Sequence, residues 1–98
     1  MNNVTDSSLE GLPSRNDVIE SVINIFVRVI GFIERQEVSP TSHIVNDYYI
    51  DTDDLSIFAD EVEKHFNIKT PPGEWPRGFE PTIAGIADYV LFHLPKKQ

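Results

Sequence analysis

Residues 46–58 read NDYYIDTDDLSIF and place Asp47, Asp51, Asp53 and Asp54 beside Tyr48, Tyr49, Thr52 and Ser56. Two kinds of chemistry suit such a stretch. Carboxylates at alternate positions are the usual ligands of a hard cation such as calcium, and a hydroxyl at a helix start can accept a covalent group. A third reading needs no chemistry, because aspartates favour the positive end of a helix dipole. The calcium reading fails on spacing. Counted from Asp51, a calcium loop requires an oxygen ligand at its fifth position, glycine at its sixth and glutamate at its twelfth. Those positions hold Leu55, Ser56 and Val62. No specific metal site is expected.

The remaining reactive residues are scattered. His43 falls in a loop, whereas His65 and His93 fall near the ends of helical patterns, where an imidazole complements the carbonyl end of the dipole. The chain has no cysteine, no H-x-x-x-H spacing, no nucleophile elbow and no glycine-rich phosphate loop. An enzyme is therefore not expected. Trp75 and Phe79 sit among prolines, where they form an aromatic contact patch or cover the core of a small bundle.

Charge is uneven along the chain. Residues 1–35 carry five acids and three bases, and residues 64–98 carry three acids and five bases. Residues 36–63 hold Glu37, Asp47, Asp51, Asp53, Asp54, Asp60, Glu61 and Glu63 and no lysine or arginine, so the net charge of −8 resides in this central segment. Such a field repels nucleic acid and anionic lipid and attracts basic protein surfaces.

These groups need a scaffold to position them. The chain has 98 residues, 40% of them hydrophobic and 10% aromatic, which suits one small globular domain and excludes a disordered chain. No run approaches the roughly 20 apolar residues of a membrane span. The N-terminal MNNVTDSSLEGLPS is polar without a basic or apolar segment, so no signal peptide is expected. With no cysteine to form disulfides, a cytoplasmic monomer is expected, and Asn3-Val4-Thr5 is a chance match to the glycosylation pattern.

Residues 1–13 read as a flexible leader, 14–95 as one helical domain and 96–98 as a tail. Ser14 can cap a helix, with Asp17 completing a capping-box-like arrangement. Val18, Ile19, Val22, Ile23, Phe26, Val27, Ile30 and Ile33 recur at helical spacing, predicting a long helix over 15–36 despite nine β-branched residues between Val18 and Ile33. A long loop follows. Asp51 or Thr52 caps a second helix whose Leu55, Phe58, Ala59, Val62 and Phe66 share one face, with Asp60, Glu61, Glu63 and Lys64 on the other. TPPGEWPRGFEP, residues 70–81, holds four of the seven prolines and leaves room for one short turn at most. Thr82 caps a last helix carrying Ile83, Ile86, Ala87, Val90 and Leu94. No internal repeat and no alternating strand appear. The fold class is all-α: three substantial helices and a proline-rich connector.

This order of elements resembles the acyl carrier proteins. In that family a stretch like V-x-D-L-G-x-D-S-L precedes the second helix, and its serine receives phosphopantetheine. Residues 45–53 align with it without a gap and match at Val45, Asp47 and Asp51. Glu63, Phe66 and Pro71 fall at the family's E-x-x-F-x-x-x-x-P spacing, and residues 82–90 resemble its T-V-x-x-x-x-D-Y-I. The likeness covers residues 17–94 and extends to a group of small bacterial carrier-like proteins. It implies a four-helix bundle with a long loop between helices 1 and 2 and a short or irregular third helix.

The departures bear on function. The attachment serine is replaced by Thr52, the glycine before it by Tyr49 and the leucine after it by Asp53. Attachment of phosphopantetheine needs an accessible primary alcohol, whereas threonine offers a secondary one crowded by a methyl group. Thr52 therefore reads as a helix cap, and Ser56 lacks the flanking pattern. The expected function is a non-catalytic interaction module without cofactor. Asp53, Asp54, Asp60, Glu61 and Glu63, with Asp47 and Asp51 in the loop, would dock on a basic partner surface. The alternative is a genuine acyl or peptidyl carrier loaded with phosphopantetheine at Thr52.

Overall fold

The computed structural model describes residues 14–48, 50–71, 75 and 79–94. The first helix, α1, spans Arg15–Ile30. Ser14 is extended before it, and its hydroxyl accepts a hydrogen bond from the Asp17 amide, so one otherwise unpaired donor of the first turn is satisfied. The helix stops earlier than its hydrophobic spacing suggests, at Ile30 rather than residue 36. Gly31 adopts φ 86°, and its amide turns back to the Val27 carbonyl. Ile33 and Val38 remain buried beyond this stop, the chain passing through a 3-10 turn at Arg35–Glu37. Continued burial in a different backbone conformation extended the apparent period past the true end.

The second helix, α2, spans Thr52–Phe66 and ends where Asn67 turns left-handed, with its amide shared between the Glu63 and Lys64 carbonyls. The third, α3, spans Ile83–His93, with the Thr82 hydroxyl accepting from the Gly85 amide as expected of a cap. Among the described residues these three helices are the only α-helices and no strand forms, so the all-α class is established. Within residues 70–81, where a short or irregular third helix was expected, 72–74 and 76–78 lie outside the described residues, as do the leader 1–13 and the tail 96–98.

α1 packs against both α2 and α3. Val18, Val22, Ile23 and Phe26 from α1, Phe58 and Val62 from α2, and Ile83, Ile86, Ala87 and Val90 from α3 close over one another with almost no exposed surface. The Phe26 and Phe58 rings meet edge to face at 5.2 Å, joining α1 to α2. Leu55 and Phe66, read as core from their spacing, are only half-buried at its margin. Trp75 stands edge-on to Phe58 at 5.9 Å and to Phe79 at 4.8 Å, so this aromatic pair covers the core.

The loop between α1 and α2 is tied to the start of α3 by backbone. The Ile44 amide donates to the Pro81 carbonyl (2.9 Å), Ile83 to Ser42 (3.1 Å) and Ala84 to Pro40 (2.8 Å), while His43 and Thr82 form an isolated bridge. Ile44 is fully buried behind this seam. Tyr48 adds a side-chain tie: its ring lies 5.4 Å from Phe26, and its hydroxyl donates to the Glu37 carbonyl at 2.8 Å. The entry to α2 is fixed by these contacts. Among the described residues, no helix is long and apolar enough to cross a membrane.

Candidate docking face and hydroxyl site on the second helix

The start of α2 is organised by Asp51. Its backbone is extended (φ −87°, ψ 171°), and Oδ1 accepts from the Asp54 amide at 3.0 Å. Asp51 is therefore the cap, and Thr52 is the first helical residue. The capping role expected of Thr52 is not the one it plays, because a residue with helical dihedrals cannot turn its hydroxyl onto the amides two and three residues ahead. Thr52 is exposed and lines a shallow cleft with Ser56, Ala59 and Trp75. Its hydroxyl is thus open to solvent, but it remains a secondary alcohol with a methyl group beside it.

The seven acids read as a docking set divide by what they touch. Asp47 accepts from the His43 amide (2.8 Å) and closes the loop, with His43 Nδ1 accepting from the Asn46 amide at 3.0 Å. Asp51 is occupied as the cap. Glu63 Oε2 accepts from the Thr70 amide (3.0 Å) and the Thr70 hydroxyl, and Trp75 Nε1 donates to Thr70 Oγ1 at 3.1 Å. Glu63 thereby holds the chain that leaves α2. Glu61 lies 3.5 Å from Arg28 on α1 and 3.7 Å from Lys64, distances at which partly exposed pairs contribute little.

Asp53, Asp54 and Asp60 differ from these four. Their carboxylates have no hydrogen-bonding or ionic partner among the described residues. Asp53, Ser56, Ile57, Asp60 and Lys64 recur at three- and four-residue spacing, and all are exposed, so they form one outward stripe of α2. Ile57 sits at its centre with 51% of its surface exposed, although the adjacent Phe58 is wholly buried. An isoleucine flanked by carboxylates was not recognisable as a surface feature from composition. The signal available was that Ile57 falls off the stripe carrying Phe58 and Val62.

The histidines hold no common site. His65 packs its ring on Phe66 at 4.7 Å at the end of α2, and His93 packs on Tyr89 at 4.5 Å at the end of α3. Among the described residues, no three histidines, aspartates or glutamates converge to hold a metal ion. Elsewhere Arg15 hydrogen-bonds Asp88 through Nε at 2.7 Å, which holds that carboxyl below its ordinary range. No known family pattern, curated protein or solved structure matches this chain.

Proposed function

We propose that this chain is an acyl-carrier-like module, bacterial and cytoplasmic, that works as a monomer by docking the acidic face of α2 on a basic surface of a partner protein. It is not an enzyme and carries no phosphopantetheine. The order of the described elements supports the carrier-like reading: a long α1, a long anchored loop, an acidic α2 and a short α3, with a proline-rich stretch of sequence between the last two.

The observation that carries the docking role is the outward stripe of α2. Asp53 and Asp60 on the stripe, and the half-buried Asp54 next to Asp53, have no partner among the described residues, and Ile57 places apolar surface between Asp53 and Asp60. A basic surface meeting this face gains charge pairing at the rim and excludes water from Ile57 at the centre, the arrangement found in transient interfaces. Asp47, Asp51, Glu61 and Glu63 have internal partners and contribute mainly to the field. Thr52 lies beside this face. Its secondary hydroxyl, in a sequence where Tyr49 and Asp53 replace the glycine and leucine of the carrier pattern, does not fit the chemistry of pantetheine attachment, so no carrier step is assigned to it.

Capture of partner proteins on wild-type and charge-reversed chains tests the reading. Binding of a basic partner should fall steeply between about 50 and about 150 mM salt as screening shortens the reach of the field. Asp53→Lys/Asp60→Lys should abolish it, while Asp17→Lys/Glu20→Lys on α1 should leave most of it. Equal losses from the two pairs would reduce the acidic face to a solubilising surface.

A further inference from the structure

α3 is the shortest of the three helices and the most apolar. Among its eleven residues Asp88 is the one acid, no lysine or arginine is present, and Arg15 on α1 holds the Asp88 carboxylate through Nε at 2.7 Å. Ile83, Ile86, Ala87 and Val90 close into the core. The opposite side is apolar too, with Ala84, Gly85, Leu91 and Phe92. Phe92 is 79% exposed, more than Phe32 or Ile57. A helix that is apolar all round is normally a covered one. Neither Asp53 nor Asp60 borders the groove beside Phe92, so this strip is separate from the acidic face of α2.

The strip is complementary to itself. Phe92 projects a ring, and seven residues earlier, about 10 Å along the axis, Gly85 projects nothing. The Glu80 backbone lies directly against Gly85, where a Cβ would come within 2.0 Å of the Glu80 carbonyl oxygen. Between these ends the Phe79 and Tyr89 rings are in contact at 4.6 Å and leave no slot for a small molecule. Charge follows the same plan. Glu80, exposed and without a partner among the described residues, precedes the helix, and Lys96 and Lys97 follow it in the sequence.

We propose that the outer strip of α3 is a contact between two copies of this chain, packed antiparallel about a two-fold axis. In such a contact each copy receives what it gives. With the axis midway between Gly85 and Phe92, each Phe92 lies over the partner's Gly85, and each C-terminal end brings its lysines toward the partner's Glu80. A second copy suits this strip better than a basic protein does. Arg15 already balances Asp88, and the strip lies outside residues 36–63, where the charge of −8 resides, so two copies meet here with least repulsion.

The contact is small. Eleven helical residues span about 16 Å, and one helix pair falls short of the roughly 1,200 Å² of stable complexes. The dilute chain is therefore the monomer that docks through α2, and pairing belongs to high local concentration.

Sedimentation of the full chain from about 10 μM to about 1 mM reads the pairing as a rise from one-chain toward two-chain mass. The rim pairs are exposed and weak, so the repulsion between two chains of −8 dominates the salt effect. Raising salt from about 50 to about 500 mM should move the midpoint to at least about 3-fold lower concentration. Docking through α2 weakens with salt instead, so the sign of the effect tells the two faces apart, and either can fail without the other. Phe92→Asp alters an exposed side chain; it should keep the dispersed NMR spectrum of a folded chain and stay monomeric throughout. Asp53→Lys/Asp60→Lys should pair at least as well as wild type. Isotope-filtered NOEs in a mixed-label sample should connect Phe92 with Gly85 of the partner subunit. One-chain mass at every concentration, undiminished pairing of Phe92→Asp, pairing that weakens with salt, or NOEs between the two Phe92 rings would overturn the assignment.

Discussion

Ile57 and Phe58 are neighbours in sequence and opposites in environment. Phe58 has no exposed surface and meets Phe26 and Trp75 edge to face, whereas Ile57 is half open between Asp53 and Asp60. The inner face of α2 packs into the core, whereas Asp53, Ile57 and Asp60 on the outer face are exposed. The acids repeat the contrast: Asp51 and Glu63 satisfy backbone amides, while Asp53 and Asp60 have no partner among the described residues. One helix thus carries fold and surface chemistry on opposite sides, and residue type alone does not reveal which side a residue serves.

The contrast breaks most visibly at Phe58. Truncation to alanine should cost about 3–5 kcal/mol in denaturant unfolding, because the cavity opens between α1 and α2. Ile57→Ala should cost less than about 0.5 kcal/mol, since it vacates solvent-facing space. Similar losses at the two positions would mean that the outer face is packed in solution. Gly85→Ala should cost about 1–3 kcal/mol, because the Glu80 backbone must move to admit the new Cβ.

Smaller effects sharpen the division at the helix start. Asp51→Ala should cost about 1 kcal/mol as a lost cap, and Thr52→Ala only a few tenths, the reverse of what a capping threonine would give. Chemical denaturation of the two variants decides between them. The smallest effect belongs to Arg15 and Asp88. The hydrogen bond from Arg15 lowers the Asp88 carboxyl from its ordinary 3.8, so its stabilisation is present above that pH and is lost as the pH falls through the lowered value. Both side chains are half-exposed, so Asp88→Asn should lower the melting temperature slightly at pH 7 and not at all well below pH 3.8.

Much of this architecture is legible in the sequence, and the exceptions have physical causes. Three periodic stripes give the three helices, and Ser14 and Thr82 declare two of the caps. The end of α1 was obscured because Ile33 and Val38 stay buried after Gly31 has broken the helix. Ile44 has no periodic neighbours, and its complete burial follows from backbone bonds to residues some 40 positions away. The acidic segment names all the carboxylates of the candidate face but cannot sort them. Glu61 finds Arg28 across 33 residues, and Glu63 finds Thr70 only once the chain has turned at Asn67. Asp47 was read with the docking acids, yet it accepts from the His43 amide four residues before it, a local bond that the spacing alone does not declare.

The central claim is that the exposed end of α2 acts by docking and not by carrying a covalent group. The structure relieves Thr52 of the capping role and leaves it exposed, so the claim rests on the chemistry of a secondary alcohol in a sequence where Tyr49 and Asp53 replace the glycine and leucine of the carrier pattern. Intact mass of the full chain, co-expressed with a broad-specificity phosphopantetheinyl transferase, tests it most directly. The account predicts the unmodified mass for wild type. A gain of one phosphopantetheine mapped to Thr52 would contradict it and make the protein a carrier.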